Sequence, residues 1–378
     1  MSASIVVRRI APAHYPRLQP DFIALSAKAQ DANPHMSPAA ITAARLLIPD
    51  DRIIILAAYH SEALGLERLA GVWAFAKRRD WRSGFAETLV APLLPLYEVS
   101  SCPVLDRDLA LPVATAMLRH VLAAGDLPRS MALPLLALDG ESFAIVSAAC
   151  TATGSRIDLF ERWQRPMMLA QQGDSAETYL RRSLGQSFKK RMQQFRSMRK
   201  YGTLSFRRER SFAARDRLGE FLALEAAGWK GEAGSAIARI PADTAYFEAL
   251  AAEFARVDGL LLDSLLLDGR PIAMGLQIEN AGTRHFLKIA YDERQHRLSP
   301  GRSLTIAMLQ SDFAATPPVV FDSGAGDGVD AGTYVWGERR EIGHALIGVG
   351  GAGPPHPPQA PPPPPRQRPG GAGRRRRV

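Results

Sequence analysis

Residues 260–310 read LLLDSLLLDGRPIAMGLQIENAGTRHFLKIAYDERQHRLSPGRSLTIAMLQ, and the order of elements in this stretch decides the fold. Three apolar, strand-like runs are separated by Asp268-Gly269 and Asn280-Ala281-Gly282. Such residues accept the left-handed conformations of tight hairpins, so the stretch predicts an antiparallel meander. The third run ends in a polar loop, and Ser299-Pro300-Gly301 then opens an apolar segment with helical spacing, flanked by Arg297 and Arg302. A helix start exposes unpaired N–H groups and a partial positive charge, which suit an anion. Ser299 fits the N-cap, Pro300 the first helical position, and Gly301 allows close approach to the backbone. Read locally, two interpretations stand side by side: an anion site, and a connecting turn of a common sequence type.

Outward from this stretch, PVVFDSGAGDG at residues 318–328 predicts one more strand, and AGTYVWGERREI at 331–342 a last helix. Upstream, residues 174–202 predict one amphipathic helix, capped by Asp174 or Ser175 and stopped by Gly202. Its apolar stripe is Leu184, Phe188, Met192, Phe195 and Met198. Two further helices follow, in DRLGEFLALEAAGWKG and ADTAYFEALAAEFARVDG. The earlier part of the chain offers a Ser37-capped helix starting at Pro38, two buried strands (RIIILAAYH and LAGVWAFAKRR), a helix ended by Gly125, and a strand in SMALPLLALDGES. No sequence period is visible, yet both halves place helices before a strand meander. The boundaries this suggests are 1–170, 171–348 and a tail at 349–378.

Composition sets limits on function. With 378 residues and 46% hydrophobic content the chain can bury a sizeable core. Of the net charge of +9, six units come from arginines after Gly351, so the rest is only mildly basic. The tail is Pro, Gly and Arg in essence, unable to form a core, and carries no assigned role. Cys102 and Cys150 lack the spacing of a disulfide framework or zinc site, and the eight histidines show no HExxH or HxxxH pattern. A metal site is therefore not expected. The N-terminal apolar run is too short for a signal sequence, and no run approaches the ~18 apolar residues of a membrane span. These features predict a cytoplasmic protein.

The order helices, meander, glycine-containing turn, helix and lone strand resembles the GNAT acyltransferase fold. FLALEAAGWKGEAGSAI, LLLDGRPIAMGLQI, KIAYDERQHRLSPGRSL and FDSGAGD with YVWG more closely resemble the acetyltransferase family linked to bacterial cellulose and exopolysaccharide production, which is related to the FemAB enzymes. This resemblance spans roughly residues 175–340. It implies an α/β (α+β) protein of two tandem GNAT-like domains, each a mixed, mostly antiparallel sheet flanked by helices. The first would be degenerate and the second would carry the activity.

The resemblance also assigns roles. Arg297, Leu298, Ser299, Gly301, Arg302 and Ser303 would form the pyrophosphate loop for acetyl-CoA or another acyl-CoA. The strand holding Lys288, Ile289 and Ala290 would offer backbone groups to the pantetheine arm, splayed from the strand at 319–322. Trp229, Lys230 and Tyr291 would line the acceptor side. Trp229 and Lys230 equally suit a core tryptophan beside a solvated lysine. Asp322 and Asp327 bracket a glycine-rich turn, where they could serve as base or simply form the turn. Tyr334 would be the general acid for the departing thiolate. Val335 stands where the family usually has lysine, and the proline tail replaces a helix-rich continuation.

Direct transfer to an amine or hydroxyl on a small molecule or saccharide follows from this assignment, with proton removal by a carboxylate or water and an N–H for the oxyanion. Residues 181–200 hold eight Lys/Arg and no acid. They fit a solvated helix face, and they also fit a nucleic-acid or anionic surface. Two alternatives therefore remain: an aminoacyl-tRNA-dependent FemAB-type transferase, and a non-catalytic GNAT-like protein that binds RNA or another partner. The acceptor, the acyl chain and the oligomeric state are not encoded in any motif.

Overall fold

The structure, a computed structural model, describes residues 5–351 apart from 62–65, 172, 315–319 and 327–334, and the side chains of residues 229 and 230 are likewise not described. Asp327, Tyr334 and the tail beyond Gly351 therefore lie outside the described residues.

The first half begins with β1 (Ile5–Ile10), α1 (Gln19–Ser26) and α2 (Pro38–Ala44). Ser37 caps α2 by accepting from the Ala40 N–H, with Pro38 at the first helical position. Next come β2 (Ile53–Ser61), β3 (Glu67–Arg79) and β4 (Glu87–Val90), paired antiparallel in succession from β1 inward. β5 (Val104–Leu105) pairs with β3, and α3 (Ala110–Ala123) crosses over to β6 (Ser130–Ala137), which runs parallel to β4. α4 (Glu141–Ala152) and β7 (Arg156–Met168) complete this half.

The second half follows the same plan. It opens with α5 (Ala176–Leu184), α6 (Phe188–Ser197), β8 (Leu204–Arg210), α7 (Ser211–Asp216), α8 (Leu218–Ala226), α9 (Trp229–Glu232) and α10 (Pro241–Arg256). The meander is β9 (Leu260–Leu267), β10 (Arg270–Asn280) and β11 (Thr283–Tyr291), all antiparallel. Its turns place Asp268 and Gly269 at φ 50 and 74, as the residue types predict, while in the second turn Ala281 rather than Asn280 takes the left-handed position at 44, before Gly282 at 78. α11 (Pro300–Ala314) then crosses to β12 (Val320–Asp322), parallel to β11, and β13 (Glu338–Gly348) ends the fold.

All these strands belong to one sheet, in the order β1-β2-β3-β4-β6-β13-β7-β12-β11-β10-β9-β8 with β5 to the side. The chain exchanges strands between its halves. β13 lies antiparallel between β6 and β7, and β7 pairs in turn with β12. The second half's sheet carries apolar layers on both faces, with Phe221 of α8 and Phe247 and Phe254 of α10 on one side. Leu304 and Met308 of α11, Leu180 of α5 and the helical stripe of α6 cover the other.

Two expectations are corrected. Residues 174–202 are not a single helix: Gly185, at φ 50 and ψ −127, ends α5, and a 3-10 turn precedes α6. Only glycine visits that conformation cheaply, so the apolar stripe continues across a break. Ser175 does cap α5, in a reciprocal capping box with Thr178. The segment from Glu338 is a strand rather than the start of a helix. Past a bulge at Gly343/His344, Ala345 and Ile347 face the first core while Leu346 faces Val90 and Ala132. A central strand buried on both faces needs partners from elsewhere in the chain, which local periodicity cannot supply.

Candidate functional site

The site begins with an irregularity in β11. Leu276 of β10 faces Lys288 and Gln277 faces Phe286, so Leu287 is the extra residue of a bulge. Leu287 packs in the α10 layer, and Lys288 Nζ lies 5.9 Å from the centre of the Phe247 ring. Phe286, Ile289 and Tyr291 turn to the α11 layer. On β11, β12 pairs with Thr283, Arg284 and His285 among the described residues, and from Phe286 onward no β12 residue stands opposite β11. Gly324, at φ 63, approaches β11 closely, because a Cβ there would lie 2.5 Å from the Phe286 carbonyl. Lys288, Ile289 and Ala290 lie beyond the last β11–β12 pair, past the point where β12 ends.

Beyond β11, a 3-10 turn at Glu293–Leu298 leads into α11. Ser299 sits at φ 49 and ψ 57, in the left-handed region. Its carbonyl accepts from the Ser303 N–H at 3.0 Å, which starts the helix, while its hydroxyl accepts from Gln194 Nε2 at 3.1 Å. The hydroxyl expected to cap α11 is thus engaged by α6. Pro300 has no N–H, so the first N–H groups of α11 belong to Gly301 and Arg302. A cavity of about 240 Å³ opens here, lined by Ile289, Tyr291, His296, Ser299, Pro300, Gly301, Arg302 and Thr305. A Cβ on Gly301 would meet Ile289 Cδ1 and Tyr291 Cδ1 at 3.4 Å each.

Of the loop read from sequence, Ser299, Gly301 and Arg302 line this cavity together with Ile289 and Tyr291. Leu298 is buried in the α11 core, and Ser303 donates its hydroxyl to the Leu298 carbonyl at 3.2 Å. Arg297 is exposed and does not line the cavity. His296 and Thr305 were missed. Thr305 lies one turn beyond Gly301 on the same helix face, a spacing that could have indicated it.

Across β11 lies a much smaller pocket of about 20 Å³, lined by Leu224, Glu225, Gly228, Ile289, Ala290, Tyr291 and Glu293. Glu225 is buried and accepts from the Ile237 N–H at 2.9 Å. A Cβ on Gly228 would lie 2.8 Å from Glu293 Oε1, so this carboxylate rests against the backbone just before α9. Trp229 and Lys230 open α9 at that point. Burial, and then Glu293, raise the pKa of the Tyr291 hydroxyl.

Asp322 is held elsewhere. It is 3% exposed, with both oxygens 3.4 Å from Arg165 Nη1 and the Gly324 N–H donating to Oδ1 at 2.9 Å. Arg165 also donates to the carbonyls of Ala325 (3.0 Å) and Val99 (2.6 Å), tying β7 to the β12 turn and to the loop before β5. Burial would raise the Asp322 carboxyl, but Arg165, His285 and Arg340 outweigh it and hold the carboxyl below its ordinary value. A carboxylate so paired and enclosed is a weak proton acceptor. Its contacts are those of an ion pair fastening the two halves together. Burial pushes the Cys102 thiol up to about 12 and Cys150 up to about 11, so neither is disposed to act as a thiolate.

The first half has a counterpart to this helix start. α3 joins parallel strands as α11 does, but Asp106 stands before it. The Asp106 carboxylate accepts from the Asp108 N–H at 3.0 Å and pairs with Arg68 at 2.5 Å. An anion is therefore already built into that turn. Around α6, Arg181 pairs with Glu177, and Arg182 with Asp174 and Glu338. Lys189, Lys190, Arg196, Arg199 and Lys200 are exposed and, among the described residues, form no ion pair. Among the described residues there is also no metal-binding cluster, and no helix long and apolar enough to cross a membrane.

Comparison with known proteins agrees with this fold. Residues 186–330 match the family model for the acetyltransferase (GNAT) domain. The crystal structure of FemX is similar over 91% of this chain and 97% of its own, with a TM-score of 0.57 at 11% identity. A conserved protein of unknown function from Bacteroides thetaiotaomicron VPI-5482 is similar over 91% of this chain and 100% of its own, with a TM-score of 0.54 at 15% identity. At such identities the likeness is one of fold. No curated protein matches the chain in sequence. The fold is GNAT-like: a mixed, mostly antiparallel α/β sheet flanked by helices, with the acetyltransferase-domain match in its second half.

Proposed function

We propose that the protein is an acyltransferase that takes its acyl group from acyl-CoA, most simply acetyl-CoA, and passes it directly to an amine or hydroxyl acceptor. The observation that carries this reading is the cavity at the start of α11, which is lined in part by Ile289 and Tyr291 from the stretch of β11 beyond its pairing with β12. The N–H groups of Gly301 and Arg302, the helix dipole and the Arg302 guanidinium suit a pyrophosphate. The donor's pantetheine arm would run along Lys288–Ala290, placing its thioester beyond the last β11–β12 pair. The acceptor would approach from the side of Tyr291, Trp229 and Lys230, where Glu225 and Glu293 add carboxylates that Asp322 does not supply. Tyr334 is proposed as the acid for the thiolate, and Asp327 as a second carboxylate at the turn. The acceptor class proposed from the family resemblance is a small molecule or an envelope-related saccharide.

The test is thiol release from a panel of acyl-CoAs by the wild type and Arg302→Glu. Release that the variant loses supports the proposal. If the wild type neither releases thiol nor binds any acyl-CoA in calorimetry, the proposal fails. A second reading, an aminoacyl-tRNA donor, is favoured by one observation, the five exposed cations on and just after α6 that form no ion pair among the described residues, on the helix whose Gln194 contacts the same turn. Binding of charged tRNA that falls steeply with salt, without acyl-CoA binding, would select it.

A further inference from the structure

The turn that opens α11 is held by its own backbone bonds and also from a second helix, α6. Ser299 is a non-glycine residue at φ 49, a conformation L-residues avoid because Cβ crowds the next carbonyl. The following Pro300 adds its own restriction, disfavouring a helical Ser299. Something must therefore keep this residue where it is. Its backbone is bonded locally, Ser299 N–H to the His296 carbonyl and Ser303 N–H to the Ser299 carbonyl at 3.0 Å each, and its side-chain partner is Gln194, near the end of α6, whose Nε2 donates to Ser299 Oγ at 3.1 Å and to the Arg297 carbonyl at 3.4 Å. Its other amide atom, Oε1, faces Arg191 Nη1 at 3.5 Å, which fixes the orientation of the carboxamide. α6 is anchored in turn by Phe188, Met192 and Phe195 against the α11 core.

We infer that Gln194 is a positioning residue for donor binding: it clamps Ser299 in the left-handed conformation and thereby aims the Gly301 and Arg302 N–H groups into the cavity. This rests on the donor-site proposal above. Gln194 need not touch the donor. It acts through the turn, so its loss should weaken capture of the donor and leave the transfer step alone. If strain at Ser299 is what the clamp opposes, glycine at 299 should make the clamp unnecessary, because glycine enters this region without cost.

The experiment uses the full chain with Gln194→Ala, Ser299→Gly and the double variant. Three quantities are read: melting temperature, hydrogen exchange of the 298–303 backbone in the free protein, and KM and kcat with acetyl-CoA. One lost hydrogen bond corresponds to roughly five-fold. Gln194→Ala should speed exchange at 298–303 and raise the donor KM about five-fold, with kcat and melting temperature nearly unchanged. The double variant should return both exchange and KM toward the wild type. Unchanged exchange in Gln194→Ala, or a double variant no better than the single one, overturns the inference. Exchange is measured without donor, so it decides the clamp even if the wild type proves not to use acyl-CoA. That second result would reject the donor proposal alone.

Discussion

Glu98 offers a quantitative test of how the two halves are joined. It lies in the loop between β4 and β5 and is 2% exposed, with Oε2 accepting the Leu94 N–H at 3.1 Å. Its neighbour Tyr97 packs on Tyr246 and Phe247 of α10, so the loop is pressed against the second half. Burial pushes the Glu98 carboxyl from 4.5 up to about 7, opposed by the Leu94 N–H and by Arg78. An acid whose pKa is raised on folding binds its proton more tightly in the native state. Stability is then fully present below about pH 4.5 and falls as pH rises towards 7. The difference corresponds to roughly 3 kcal/mol above pH 7. Glu98→Gln keeps an acceptor for the Leu94 N–H and has no proton to lose. Denaturant unfolding of both proteins from pH 4.5 to 8.5 should show near-equal stability at the acid end. The variant should gain by about 2–3 kcal/mol at the alkaline end. A stability difference that stays flat with pH would refute the reasoning, since it would mean that Glu98 is solvated and the loop is not sealed against α10.

Three further outcomes follow from the same geometry. Asp322→Asn leaves the Arg165 guanidinium buried without its anion, and should cost about 3 kcal/mol in denaturant unfolding; unchanged stability with a collapsed kcat would instead return Asp322 to the role of base. Gly324→Ala should lower the melting temperature by several degrees, since it places a Cβ at φ 63 against the Phe286 carbonyl, and a neutral result would mean that this close approach is not needed to seat the turn after β12. Reversing Lys189, Arg196 and Arg199 to glutamate should leave acetyl-CoA binding unchanged and abolish any salt-sensitive tRNA binding, measured by filter retention.

Much of the fold is legible because local chemistry and tertiary demand agree. The Asp268-Gly269 turn and Gly282 have the positive φ values their residue types permit, and Ser37 and Ser175 cap the helices they precede. What is not legible depends on distant partners. β13 is a strand because β6 and β7 flank it, and nothing in GERREIGHALIG states that neighbours a hundred and more residues away complete it. The bulge at Leu287 follows from pairing register, and the clamp by Gln194 from the packing of α6 beside the turn. The Ser-Pro-Gly turn was visible as a helix start, and Gly301 and Arg302 do line a cavity. Which of its neighbours share that cavity was settled by helix rotation and by the Ile289 and Tyr291 side chains of β11, so His296 and Thr305 enter while Arg297 and Ser303 do not.

The central claim is that the start of α11 holds the phosphates of an acyl-CoA. The direct measurement is calorimetric titration of acetyl-CoA into the full-length wild type and into Gly301→Val. Valine would carry two methyl groups past a Cβ already 3.4 Å from Ile289 and Tyr291, filling the mouth of the cavity without disturbing the core. The account predicts one-to-one binding by the wild type and a loss of at least ten-fold in affinity in the variant, at an unchanged melting temperature. Equal binding by both proteins would contradict it.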